Sequence, residues 1–220
     1  MREYKYLFWD FDGTIVDSFE GCSFAFGKVF EHFGVNVPPE DRKQYIGPPL
    51  KVTFTDMFGA EKEPFARELY REYYINQGGQ NMCKLFDDMP NILNAIKSFG
   101  YKMFIATSKR EDIASEMLKE FGVRDCFDGV FGTVESEGRI DKKDILEYAV
   151  QISGGNKNDC LMIGDSIYDA MAAKQVGVDC LAVAYGFGNV ENMSKIGTIL
   201  CVQKPVDLID VFKKQSLGII

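Results

Sequence analysis

Short apolar runs alternate with helix-patterned segments over most of this sequence, and that alternation restricts the fold more than any other feature. "YKYLFW" (4–9), "YKMFIA" (101–106), "GVFG" (129–132), "CLMIG" (160–164), "CLAVAYG" (180–186) and "TILCV" (198–202) each read as a strand. The spacing between them predicts helices at 91–100, 109–121, 142–152 and 167–176, and a last one in "VDLIDVFKK" at 206–214. Strands returned by helices pair in parallel and carry helices on both faces. The expected class is α/β, a doubly wound parallel sheet.

One connection breaks the rhythm. Residues 10–100 separate the first strand from the second, whereas a parallel crossover needs only about a dozen residues. The excess is largely helical. Phe19, Cys22, Phe26, Phe30 and Phe33 share one face of a helix over 19–33, opened by the D-x-x-E pattern of Asp17 and Glu20. Two more helical stretches lie near 50–58 and 62–77. The expectation is a helical subdomain inserted at 17–83 in a discontinuous core of 1–16 and 84–220.

Composition narrows the function classes. A hydrophobic fraction of 46% over 220 residues supports a packed core and a small accessory domain. The net charge of −8 repels phosphate polymers, so no nucleic-acid partner is expected. A small anion is still admissible where a lysine or a metal inverts the local field. Six cysteines with no C-x-x-C read as reduced core thiols, and His32 is the single histidine. Zinc clusters and a histidine-dependent triad are thereby disfavoured. With no apolar span long enough for a bilayer and no leader pattern, the chain is expected in the cytoplasm, as a monomer or homodimer without a membrane partner.

Ligands of open parallel sheets bind beyond the carboxyl ends of the strands, and four polar clusters fall there. Asp10 and Asp12 leave the first strand one residue apart. At ~4 Å and an effective dielectric near 20, two carboxylates repel by about 4 kcal/mol, which points to a hard cation such as Mg2+. Thr107 ends the second strand, where a hydroxyl and helix-terminal amides suit a phosphate; Ser108 with Glu111 makes S-x-x-E, a capping box. "DKKD" (141–144) puts Lys142 and Lys143 in a first helical turn, where the dipole disfavours cations, so one of them is expected to meet an anion. Asp165 follows a buried strand and reads as a third metal ligand; Asp169 either caps the helix with Ser166 or supports the metal. Carboxylates, a hydroxyl, a lysine and a metal at one sheet edge suit phosphoryl transfer.

With "DFDGTIVDS" (10–18), "TSK" (107–109), a lysine near 142 and "GDSIYD" (164–169) in this order, the chain resembles the haloacid dehalogenase-like hydrolase superfamily, in its phosphoglycolate phosphatase-like branch. "YIGPPL" and "AYGFG" also look like loops of that branch. The resemblance implies Asp10 as nucleophile, Asp12 as acid and base, Thr107 with its neighbour Ser108 on the phosphate, and Lys142 between nucleophile and phosphate. It implies Mg2+ on Asp10, the Asp12 carbonyl and Asp165, with Asp169 orienting them. It also makes 17–83 a cap whose Gly47 loop faces the substrate. Many relatives carry proline after the lysine, and "DKKD" does not, so Lys142 is chosen over Lys143 by register alone. The implied activity is hydrolysis of a small phosphorylated metabolite through an aspartyl-phosphate. A nucleoside 5′-monophosphate phosphatase and a sugar-phosphate mutase are the alternatives. A dehalogenase has no use for Asp12, and a receiver domain lacks the helical insert.

Overall fold

The computed structural model describes residues 2–219. The chain opens with β1 (Tyr6–Trp9) and the two-residue β2 (Val16–Asp17), followed by α1 (Phe19–His32), α2 (Leu50–Phe58) and α3 (Glu63–Arg71). It returns through β3 (Lys84–Leu85) and α4 (Met89–Ser98), then alternates: β4 (Lys102–Arg110), α5 (Glu111–Glu120), β5 (Gly129–Thr133), α6 (Lys142–Ser153) and β6 (Cys160–Gly164). It ends with α7 (Ile167–Val176), β7 (Asp179–Val183), α8 (Val190–Ile196), β8 (Leu200–Val202) and α9 (Asp207–Ser216).

Six strands form one sheet in the order β5-β4-β1-β6-β7-β8, and every neighbouring pair is parallel. The chain runs outward from β1 to β5 on one side, then to β8 on the other. The order reverses beside β1, so the loops after β1, β4 and β6 meet at the topological switch point. β1 is buried on both faces because alternate side chains serve opposite layers. Leu7 and Trp9 pack with Met103, Ile105, Leu161 and Ile163 on the side covered by α4, α5 and α9. Phe8 stacks on Phe104 at 5.3 Å on the side covered by α6, α7 and α8. Burying each such side chain contributes about 1.5–3 kcal/mol, which fixes the strand that carries Asp10.

The helical insert lies between β2 and β3. These two strands pair antiparallel, Val16 with Leu85 and Asp17 with Lys84, so both ends of the insert leave the core side by side. Its core is aromatic: Phe26 lies 4.8 Å from Tyr70 and 5.7 Å from both Phe30 and Phe54. The six cysteines are unpaired, five of them buried. Among the described residues no helix is long and apolar enough to cross a membrane.

Several elements depart from the sequence expectation. β4 runs on to Arg110, and α5 starts at Glu111 rather than at 109. The helix expected at 62–77 becomes α3 plus one π-helical turn, Glu72–Asn76. α8 and the β2–β3 pair were not anticipated. α8 is seven residues long, capped by the Asn189 side chain, which accepts from the Asn192 amide at 3.0 Å.

Candidate active site

β1 delivers Asp10 into the switch point, where its amide donates to the Ile163 carbonyl at 2.8 Å and the residue is 4% exposed. Lys142, the first residue of α6, is buried too. Its Nζ lies 2.6 Å from Asp10 Oδ1 and 2.8 Å from Asp169 Oδ1. Lys143 points the other way, 40% exposed, and pairs with Asp144 and Glu147. Adjacent residues of a helix lie about 100° apart, so only one of the two lysines reaches the sheet edge.

Asp165 follows β6. Its Oδ2 accepts from the Phe187 and Gly188 amides at 2.7 and 3.1 Å, and its Oδ1 from the Thr14 hydroxyl at 3.3 Å. Gly13 makes that approach possible. At φ +80° it adopts a conformation L side chains avoid, and a Cβ there would stand 2.4 Å from Asp165 Oδ2. Asp169 caps α7 as the S-x-x-D pattern suggested, its Oδ2 accepting from the Ser166 amide at 3.0 Å and hydroxyl at 2.7 Å. Its other oxygen meets Lys142, so it belongs to the cap and to the cluster at once.

Asp10, Asp165 and Asp169 each bring a carboxylate oxygen within 4.8 Å of the others, all buried. Burial pushes Asp165 up to about 7, with the charge of Asp169 adding to it and the two amides opposing. Asp10 is also driven upward, by burial first and by Asp169, against the pull of Lys142. Burial disfavours the Lys142 ammonium, yet Asp10 and Asp169 outweigh it and hold its proton more tightly than usual. Three buried carboxylates face one ammonium. That excess of negative charge fits a divalent cation with oxygen ligands.

The Asp12 carboxylate does not join this cluster. Its Oδ2 lies 3.1 Å from Lys109 Nζ, and its Oδ1 is buried without a hydrogen-bond partner while the residue lines the cleft. Thr107 and Ser108 line the same cleft. The Thr107 hydroxyl accepts from the Lys109 amide at 3.2 Å, and the Ser108 hydroxyl is buried with no partner. The expected Ser108–Glu111 capping box is absent, because β4 extends past Ser108 and Glu111 turns instead to Arg139 and the Gly132 amide. That leaves the Ser108 hydroxyl free for a ligand. Gly47, at φ +107°, lines the cleft from the insert.

Lys109 escaped the sequence reading. Its Nζ sits between Asp12 Oδ2 and the Tyr74 hydroxyl, the latter at 2.9 Å, and lies 4.4 Å from the centre of the Tyr74 ring. The signal was there: residues 107 and 109 share one face of a strand, but a helix was expected to begin at 109. Arg67, Arg71 and Glu135 also line the cleft and had no motif to mark them.

A family match and phosphatase-named relatives make this chain an enzyme of the phosphoric monoester hydrolase class. The chain belongs to the family described as haloacid dehalogenase-like hydrolase, whose model matches residues 7–183. It is 30% identical over 193 residues to a 5'-nucleotidase from Pseudomonas aeruginosa, covering 86% of this chain and 87% of that one. It superposes on the crystal structure of a predicted phosphatase from Clostridium acetobutylicum with a TM-score of 0.91 and 28% identity, over 96% of this chain and 99% of that one. The crystal structure of a putative phosphoglycolate phosphatase from Lactobacillus delbrueckii subsp. bulgaricus shares the fold at a TM-score of 0.84 and 23% identity, over 96% of this chain and 99% of that one.

Proposed function

We propose that this chain is a Mg2+-dependent phosphatase that hydrolyses a small phosphorylated metabolite through an aspartyl-phosphate on Asp10, with phosphoglycolate the first substrate to assay. The observation that carries the reading is the buried Asp10 carboxylate, 2.6 Å from Lys142 and set among Asp165 and Asp169. A buried carboxylate held by an ammonium is a positioned nucleophile.

The Thr107 and Ser108 hydroxyls and the neighbouring amides hold the phosphoryl oxygens, and Lys142 stabilises their charge. An Asp10 oxygen attacks phosphorus, the bond from phosphorus to the leaving oxygen breaks, and Asp12, as general acid, gives that oxygen its proton. Asp12, now a carboxylate, takes a proton from water as the water oxygen attacks the same phosphorus. The Asp10–phosphorus bond then breaks and phosphate leaves. The unpartnered Asp12 Oδ1 suits this proton traffic. Asp10, the Asp12 carbonyl and Asp165 would hold Mg2+, oriented by Asp169, and the ion supplies further neutralisation of phosphoryl charge when bound. Residues 17–83 act as a cap that limits water and substrate size.

The test is phosphate release from p-nitrophenyl phosphate and phosphoglycolate. Turnover should appear with Mg2+, vanish in EDTA, and vanish in Asp10→Asn with an unchanged circular dichroism spectrum. Activity near wild type in that variant contradicts the assignment. Similarity to the Pseudomonas 5'-nucleotidase, together with Tyr45, Tyr70 and Tyr74 in the cleft, favours nucleoside 5′-monophosphates as the second reading. Ranking by kcat/KM over both substrate classes separates the two.

A further inference from the structure

Away from the carboxylate cluster the same cleft carries a second polar pole. Glu63, Arg67 and Arg71 follow one another at four-residue spacing on α3, so they form one stripe. Glu63 is buried and accepts from Arg67 Nε at 2.6 Å, which fixes the Arg67 guanidinium. Arg67 and Arg71 then converge on a single atom, Oε1 of Glu135. Glu135 stands in a short turn just beyond β5, at the carboxyl edge of the sheet, and is half-exposed.

Tying the insert to the core needs one arginine. Two guanidiniums a turn apart repel each other and weaken their helix. Their many N–H donors outnumber the acceptors that one carboxylate oxygen provides. Such a pair is built like a receptor for an oxyanion with more than one acceptor oxygen, and Glu135 fills it from within the chain. Glu135 is the exposed end of these pairs, 42% accessible and on a turn, so a ligand anion can compete with it for the two guanidiniums.

We propose that Arg67 and Arg71 form a second anion subsite, and that Glu135 is its intramolecular stand-in. The substrate class is a small phosphoester whose leaving group carries a further oxyanion, a carboxylate or a second phosphoryl group, which takes the place of Glu135. The inference rests on the phosphatase reading for its turnover, but not for its binding.

Binding and turnover are therefore measured separately, with matched ligands at fixed Mg2+ and ionic strength. 2-Phosphoglycolate is compared with ethyl phosphate, and pyrophosphate with methyl phosphate, so that the two pairs distinguish a carboxylate from a second phosphoryl group. Calorimetry on Asp10→Asn should show tighter binding of the doubly anionic member of one pair by about tenfold or more, the scale of a charged hydrogen bond. Adding Arg71→Gln should collapse that ratio toward one, and adding Glu135→Gln should raise it. Arg71 is the preferred variant because Arg67→Gln strands buried Glu63. In the otherwise wild-type enzyme, Arg71→Gln should lower selectivity mainly through KM. A ratio near one in both pairs, or an Arg71→Gln effect equal on both members of each pair, overturns the subsite. Selective binding without any phosphate release would leave the subsite standing and sink the phosphatase reading.

Discussion

Replacing Lys142 with methionine is the sharpest single perturbation of the site. The Lys142 ammonium is 4% exposed and touches Asp10 at 2.6 Å and Asp169 at 2.8 Å. At a separation of about 2.7 Å and an effective dielectric near 20, each attraction is about 6 kcal/mol. Desolvating the three groups offsets most of that. The asymmetry is what matters: removing one partner of a buried pair leaves the other charge uncompensated and costs about 3–5 kcal/mol. Methionine is unbranched and only one heavy atom shorter than lysine, so cavity formation adds little. The assay is urea denaturation in EDTA at pH 7.5, with the slope checked for constancy. Lys142→Met should lose about 3–5 kcal/mol. Lys143→Met, which gives up only exposed pairs with Asp144 and Glu147, should stay within about 0.5 kcal/mol. A loss under about 1 kcal/mol for Lys142→Met, or equal losses for the two variants, refutes the reasoning.

The pH dependence of the metal-free protein follows from Asp165, raised from its ordinary 3.8 to about 7. Folded Asp165 keeps a proton that the unfolded chain releases above pH 4, so stability in EDTA should fall between about pH 4 and 7, by on the order of 4 kcal/mol from Asp165, with the raised Asp10 adding in the same direction. Denaturation midpoints across that range check the sign, and Mg2+ should restore more stability at pH 7.5 than at pH 5. Lys109→Met removes the cation 3.1 Å from Asp12 and should lower kcat by about ten- to a hundredfold with a smaller change in KM, read from steady-state kinetics. Gly13→Ala forces a Cβ against Asp165 at φ +80° and should cost about 1–3 kcal/mol by urea titration and weaken Mg2+ binding by calorimetry.

The parallel sheet was readable because its central strands are buried on both faces and therefore appear as unbroken apolar runs flanked by helical periods. Asp10, Asp165 and Asp169 were readable because strand ends converge on one edge. The errors arose where local chemistry offered two answers. S-x-x-E at Ser108 imitates a helix start, yet β5 pairing carries β4 on to Arg110, where it meets Thr133. That extension aims Lys109 at Asp12 and frees the Ser108 hydroxyl. α8 is too short for periodicity to show, and the β2–β3 pair joins residues 16–17 to 84–85 across the whole insert, a contact no local window contains. Arg67, Arg71 and Glu135 meet only through tertiary structure, from α3 and the turn after β5.

The account stands on covalent chemistry at residue 10. Rapid mixing of the enzyme with p-nitrophenyl phosphate and Mg2+, acid quenching within a turnover and peptide mass mapping should find one phosphoryl group on Asp10, and none in Asp10→Asn. Phosphate released with no phosphorylated enzyme at any quench time, or a phosphoryl group on another residue, would contradict it.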